Sequence, residues 1–482
     1  MNKVLFSTAF TICTFIACLG QTKYTLDNII GLAQRQSPQA KQAETRKENR
    51  FWQYRLFRSN YNPQLSIGGN LPGFSRRFEN IRQPDGSFAF QSVEQVNSSL
   101  SLGLFQPIAP TGGNISLNTR SNQNVDFARD TTSWASTIVD VTLSQPLFAF
   151  NELRWDKKTE PIRYEESKRS FIEEMEFVSR EATERFFDYL DEQVNFQIAE
   201  FNLSNNDTIY NIEKGRYNIG TTSEDKLLQV ELQLLRSKQD LAQAQLDLQT
   251  ARLELRTFIG LNEAEDFDLA LPENIPIFLV DEASALEYAK ENRSDYIAFE
   301  RRRLEADREV ARAKGQRFQM NLDASFGLNS AGATFDESYA DPEQQQFANL
   351  RLTVPIINWG RNEARLKTAL ANKQLNDYTI AQEEQNFELE IITQVRQLSV
   401  LKQQIEISKK SDEVAQKRYE VAQNRYLIGK IDITNLNIAL TEKDAAKRSY
   451  ITALRSYWIA YYDLRRLTLY DFANQQLLYA KE

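Results

Sequence analysis

The 482-residue chain contains no histidine. That removes imidazole general bases, Ser-His and Cys-His nucleophile pairs, and nearly all zinc sites. Its two cysteines, Cys13 and Cys18, both stand near the N-terminus, so no disulfide framework or thiolate cluster can form beyond them. The net charge is −8 with both signs spread along the chain, and no basic patch offers a footprint for nucleic acid. No glycine-rich phosphate loop is present, so no nucleotide cofactor is implied. Clustered carboxylates such as Glu383, Glu384, Glu388 and Glu390 read as solvated helix faces rather than a metal or catalytic site.

Long apolar runs are missing as well. Only Val4–Ala17 is sustained, preceded by Lys3 and followed by small residues. It reads as an export signal over residues 1–20, too short for a permanent membrane helix. Cleavage after Gly20 is the preferred reading. Lipidation at Cys18, within the imperfect lipobox Phe15-Ile16-Ala17-Cys18, is the alternative. After the signal no apolar run reaches 18 residues, so any membrane is crossed by something other than a helix.

Helix breakers are missing selectively. No proline falls between Pro161 and Pro272, and the only glycines there before Gly260 are Gly215 and Gly220. From Arg361 to Glu482 there is only Gly429. Leu, Ala, Gln, Glu, Lys and Arg fill these stretches and favour helix. A segment of about 65 residues from about Leu153, and another from about Asn362, would each be roughly 100 Å long. Helices of that length belong to coiled coils or long bundles.

Residues 62–147 and 318–357 follow a different period. In QMNLDASFGLNS, Met320, Leu322, Ala324, Phe326 and Leu328 alternate with polar residues or glycine. Leu350, Leu352 and Val354 alternate likewise, as do Val139, Val141 and Leu143, and Leu100, Leu102 and Leu104. Period-two segments of about ten residues are the mark of transmembrane β-barrel strands. A soluble sandwich with one wet face fits the same pattern.

The chain also repeats itself. RYNIG at 216–220 matches RYLIG at 425–429, and the same offset pairs Tyr210 with Tyr419 and Pro146 with Pro355. Heptads follow each glycine. Leu227, Leu234, Leu241, Leu248 and Leu255 form one seam, and Val230, Ser237, Ala244, Ala251 and Phe258 another. Ala439, Ala446, Ala453, Ala460 and Leu467 repeat the pattern. Such a repeat predicts a left-handed supercoil. Gly220 and Gly429 are expected as left-handed C-caps where one long helix folds back on the next. Thr222 or Ser223, and Asp432, are the expected N-caps that follow.

Together RYNIG, RYLIG, SQPLF, TVPII, LLQVELQLLRSKQDLAQAQLDL and the tail from Gly429 to Asp471 resemble the TolC-like outer-membrane efflux protein family, in the style of a Bacteroidetes-type member. The resemblance covers essentially the whole mature chain. It implies an α + transmembrane β-barrel fold with internal duplication. Long coiled-coil helices would form a trimeric periplasmic α-barrel, and strands from each protomer would complete one shared outer-membrane β-barrel.

The expected organisation is a signal peptide at 1–20, N-terminal helices at 21–61, strands at 62–147 and a helical hairpin at 148–262. A linker at 263–280 and helices at 281–317 follow. Strands at 318–357, a second hairpin at 358–470 and a tail at 471–482 complete it. The family commonly supplies four strands per protomer. Here the first half alone holds four, with Pro110–Gly113 as an extra turn, so six strands either widen the barrel or leave one hairpin outside it.

The resemblance further implies a passive exit duct and not an enzyme. The implied partners are outer-membrane lipid, a periplasmic adaptor and an inner-membrane RND or ABC transporter, in multidrug efflux or type I secretion. At the periplasmic tips the family places an aspartate six positions after the glycine. Lys226 and Asn435 stand there instead, with Glu224, Asp225 and Asp432 as nearby acids. Tyr426 matches a constriction tyrosine, and Tyr217 is its repeat partner. Loosened hydrogen bonds among Tyr426, Asp432 and the neighbouring tip are the expected opening step. Plain packing for the tyrosines and a plain N-cap for Asp432 are the bland readings. A periplasmic adaptor or a coiled-coil scaffold remains the alternative function, but the glycine-rich β-domain an adaptor needs is not found.

Overall fold

The computed structural model describes residues 23–83, 85–261, 267–276, 278–316 and 318–479. The expected export signal with Cys18 lies outside the described residues, as do 262 at the end of the expected first hairpin, 263–266 and 277 of the expected linker, and 480–482 of the tail. Among the described residues no helix is long and apolar enough to cross a membrane.

In chain order the elements are α1 (Leu26–Gln36), α2 (Pro38–Ser59), β1 (Gln64–Arg82), β2 (Phe88–Ile108), β3 (Gly113–Asp126), β4 (Thr131–Leu147), α3 (Glu152–Asn218) and α4 (Glu224–Ile259). They continue with α5 (Glu282–Asn292), α6 (Ser294–Gly315), β5 (Gln319–Gly332), β6 (Glu343–Thr353), α7 (Arg361–Leu427) and α8 (Ile433–Thr468). The duplication is written in the lengths. α1 and α5 have 11 residues each, and α2 and α6 have 22. α3 and α7 have 67, and α4 and α8 have 36.

The chain divides into two compact units. One comprises Thr45–Phe171 and Lys290–Glu390 and holds all six strands. They form a single antiparallel sheet in the order β1-β2-β3-β4-β5-β6. The extra hairpin of the first half is therefore not packed aside; β1 and β2 are the edge of the same sheet.

Register keeps like with like across that sheet. One row runs Leu65, Leu104, Leu117, Val141, Phe326, and Leu322 adds Leu350 on the same face. The alternate row runs Ser66, Gly103, Asn118, Asp140, Gly327, Gln345. Because side chains alternate, one face is mainly apolar and the other mainly polar; Gln346 and the Arg76–Glu94 ion pair interrupt the apolar face, and Val93, Phe105 and Phe347 the polar one. The apolar face stays open: Ile67 is 70% exposed and Leu350 57%.

The other unit comprises residues up to Glu44, Ile172–Ala289 and the chain from Ile391 onward. The heptad seams read from the sequence point inward here. Val230, Leu234, Ser237, Ala244 and Leu255 of α4 are buried, as are Ala439, Ala453, Ala460 and Leu467 of α8. The linker is anchored to α3 and α8. Tyr189 donates its hydroxyl to Phe267 O at 2.5 Å, and Tyr457 donates to Pro276 O at 2.7 Å. Asp268–Leu269 pairs in parallel with Lys23–Tyr24. Near the C-terminal end of α8, Arg465 holds Glu176 of α3 through two bonds of 2.9 Å, and it also reaches Asp471 at 2.8 Å.

Candidate functional site

The two glycines close the long helices as the sequence predicts. Gly220 has φ +72 and Gly429 φ +73, where a β-carbon is disfavoured. Thr221 N donates to Arg216 O, and Lys430 N to Arg425 O, the six-to-one bond of a Schellman cap. The next helices start at once. Ser223 caps α4 by accepting from Lys226 N, and Asp432 caps α8 by accepting from Asn435 N at 2.9 Å. Glu224 and Asp225 fall in the first turn of α4, where acids suit the helix dipole.

The second turn is pinned to the first by a side chain from α3. Tyr426 is 2% exposed and donates its hydroxyl to Glu213 Oε1 at 2.6 Å. Arg216 Nη1 donates to the same oxygen at 2.7 Å. Its Nη2 donates to Leu427 O at 3.2 Å, satisfying one of the last carbonyls of α7. The guanidinium also lies 5.4 Å from the Tyr426 ring centroid.

Burial pushes the Glu213 carboxyl up, but hydrogen bonds from Tyr426, Arg216 and Thr222 outweigh it and hold it below its ordinary value. Burial, then the bond to Glu213, pushes the Tyr426 hydroxyl far above the ordinary phenol value. Beneath them Ile209, Val230, Tyr419, Tyr426, Ile433, Leu436 and Leu440 form one buried apolar cluster. Tyr419, the repeat partner of Tyr210, donates to Asn205 at 3.1 Å, and burial raises it to about 12.

A cavity of about 380 Å³ opens beside this cluster. Of the residues singled out from sequence, Thr222, Lys226, Tyr426, Gly429 and Asp432 line it; Tyr217, Gly220, Ser223, Glu224, Asp225 and Asn435 do not. Tyr217 is 41% exposed, so the two repeat tyrosines occupy opposite environments. One expectation is corrected. Within the protomer Tyr426 does not bond Asp432, whose Oδ1 is taken up by the backbone and side-chain amides of Asn435. The partner of Tyr426 is Glu213. Sequence reasoning passed over Glu213, and took Arg216 only as part of the RYNIG repeat and Thr222 only as a possible N-cap. The available signal was Glu213 itself, an acid where the other repeat places Ala422.

The model of the family described as outer membrane efflux protein matches residues 29–261 and 274–468. The chain belongs to that outer membrane efflux protein family. No curated protein matches it by sequence. The fold of this efflux family member is shared with solved channels at low identity. The outer membrane channel CmeC of Campylobacter jejuni is 15% identical with a TM-score of 0.66, over 97% of this chain and 94% of that one. The outer membrane protein VceC of Vibrio cholerae is 14% identical with a TM-score of 0.64, over 92% and 95%. The open-state MtrE channel of Neisseria gonorrhoeae is 18% identical with a TM-score of 0.62, over 92% and 88%. As a member of this family of channels, the protein is an outer-membrane exit duct of efflux systems and not an enzyme. It is seated in the outer membrane and extends into the periplasm. An adaptor or scaffold role is not favoured.

Proposed function

We propose that three copies of this efflux duct close one shared β-barrel in the outer membrane and one shared helical tunnel in the periplasm. The observation that carries this is the open sheet. Its apolar face suits lipid, yet β1 and β6 each leave one edge unpaired within the protomer. Unpaired backbone edges are not tolerated in hydrocarbon, so copies must supply the missing neighbours. The helical unit makes the same demand. Val400, Ile407, Val414 and Val421 recur every seven residues along α7, and Ile428 follows in step just past its end, each more than half exposed. A β-branched heptad stripe of that length is a coiled-coil seam awaiting a partner. Three is the number the family resemblance implies.

In this reading an inner-membrane RND or ABC transporter and a periplasmic adaptor deliver substrate. The helix turns at Gly220 and Gly429 are the periplasmic tips. The cluster of Tyr426, Glu213 and Arg216 latches the end of α7 to α3, and releasing it opens the duct. Lys226 and Lys430 lie beside the turns, where an adaptor would meet them. Cysteines at these two positions are expected to crosslink to a co-expressed adaptor; no crosslink at any tip position removes the docking part.

The deciding measurement is the native mass of protein extracted in detergent from the outer-membrane fraction. Three chain masses support the shared barrel. A monomer, or protein found only in the soluble periplasm, overturns it.

A further inference from the structure

The two halves of the chain are not equal in strands. α5 and α6 begin 256 residues after α1 and α2, at 282 against 26 and 294 against 38. α7 and α8 begin only 209 residues after α3 and α4, at 361 against 152 and 433 against 224. The difference of 47 residues is an insertion in the first half, between α2 and β3. β3 and β5, each of 14 residues, are repeat partners, and so are β4 and β6. What has no partner is the β1–β2 hairpin, Gln64–Ile108.

This inserted hairpin is built as barrel wall. Leu65 and Ile67 continue the apolar row through Leu104 and Leu102, and Ser66 and Gly68 continue the polar row through Gly103 and Ser101. A hairpin packed against the outside of a barrel would need no such match on both faces. It also supplies β1, one of the two free edges.

We infer that the inserted hairpin enters the seam between protomers and widens the outer-membrane mouth. Resting on the closed ring of three copies proposed above, six strands per chain give 18 in place of the 12 the duplicated strands alone would give. Barrel diameter grows roughly in proportion to strand number. With strands about 4.8 Å apart and tilted about 40°, the backbone diameter rises from roughly 24 Å to roughly 36 Å. The polar face carries small side chains such as Ser66, Gly68, Ser101, Gly103, Ser116 and Thr142, together with charges of both signs at Arg120, Asp140, Asp323 and Arg351. The mouth therefore passes hydrophilic solutes wider than a 12-strand ring admits. Side chains leave it a lumen on the order of 25 Å, so the exit is not the narrow part of the duct.

Two experiments test this on the full-length protein. In the first, Ser66→Cys is combined in turn with Gln345→Cys, Phe347→Cys, Asn349→Cys or Arg351→Cys, and the membranes are oxidised. One combination is expected to give a covalent three-chain ladder on a denaturing gel. A native mass of three chains with no crosslink in any combination overturns the hairpin's place in the seam and leaves the trimer standing. A native mass of one chain overturns the trimer itself.

In the second, graded polyethylene glycols are added on the extracellular side of channels in planar bilayers. The wild type is compared with a variant in which a short turn replaces 64–108. The same side-chain layer leaves a 12-strand ring a lumen of only about 13 Å, so the largest polymer that enters the wild-type mouth is expected to be about 2-fold wider than for the variant. Equal cut-offs overturn the inference. If the shortened chain does not assemble, the crosslinks alone decide.

Discussion

The hydroxyl of Tyr426 lies 2.6 Å from Glu213 Oε1, a contact between residues 213 positions apart that joins the end of α7 to the last turns of α3. It is charge-assisted and shut away from water, since the Glu213 side chain is only 6% exposed. Bonds of this kind contribute about 1.5–3 kcal/mol.

Tyr426→Phe is therefore expected to weaken the tip by about 1.5 kcal/mol or more. Single-channel recordings should show more frequent or larger openings of the closed duct. Asp432→Ala removes a helix cap instead, at about 1 kcal/mol, and should destabilise α8 without matching that rise in conductance. Equal conductance changes for the two variants would move the latch back to Asp432.

The tip should also respond to acid. The folded-state carboxyl of Glu213 lies below its ordinary value of 4.5, so its contribution is complete above that value. It is lost as pH falls through the folded value. Protection factors of the tip amides, with the intrinsic pH dependence of exchange divided out, should thus be flat from pH 7 to about 5 and fall only below about 4.5. Glu213→Gln should be looser at neutral pH and show less of that acid step.

Gly220 and Gly429 carry positive φ, and no atom lies within 4 Å of where their β-carbons would stand. The strain of a substitution is conformational, not steric crowding. Gly429→Asn should cost a few tenths of a kcal/mol, and Gly429→Val about 1–2 kcal/mol. Thermal melts of the helical signal in detergent would separate them. A large loss for both would point to an unseen neighbour at the tip.

On the sheet, neighbouring positions should behave oppositely. Val141→Arg places a charge on the apolar face and should cost about 2–4 kcal/mol if the site is near mid-membrane. The variant should accumulate outside the outer membrane. Thr142→Arg, one residue on, faces the polar side and should assemble normally. The same loss for both would remove the assignment of faces.

The long helices, strands and turns were legible because each imposes a period or a breaker on the sequence. Leu234 and Val230 mark a heptad, Val139 and Val141 an alternation, and Gly429 a lone stop. What was not legible is what depends on contacts between distant segments. Nothing local in NIEKGRYNIG says that Glu213 faces Tyr426, because that meeting is set by two helices of 67 residues reaching the same level. The even spacing of Tyr426, Gly429 and Asp432 drew attention to Asp432, whose oxygen the local amides of Asn435 already occupy. The strand count was legible, but the single sheet was not, since sequence alternation is the same for a strand inside a sheet and one beside it.

The equal lengths of the duplicated helices have a consequence for how this chain can vary. Their side chains differ widely, yet 67 matches 67 and 36 matches 36. One residue added to α3 would lift its end by about 1.5 Å and turn everything beyond it by about 100°. Glu213 would swing away from Tyr426 and Arg216 from the end of α7. The helices act as paired rulers, on which substitutions drift freely while insertions are read at once as a mismatch at the far end.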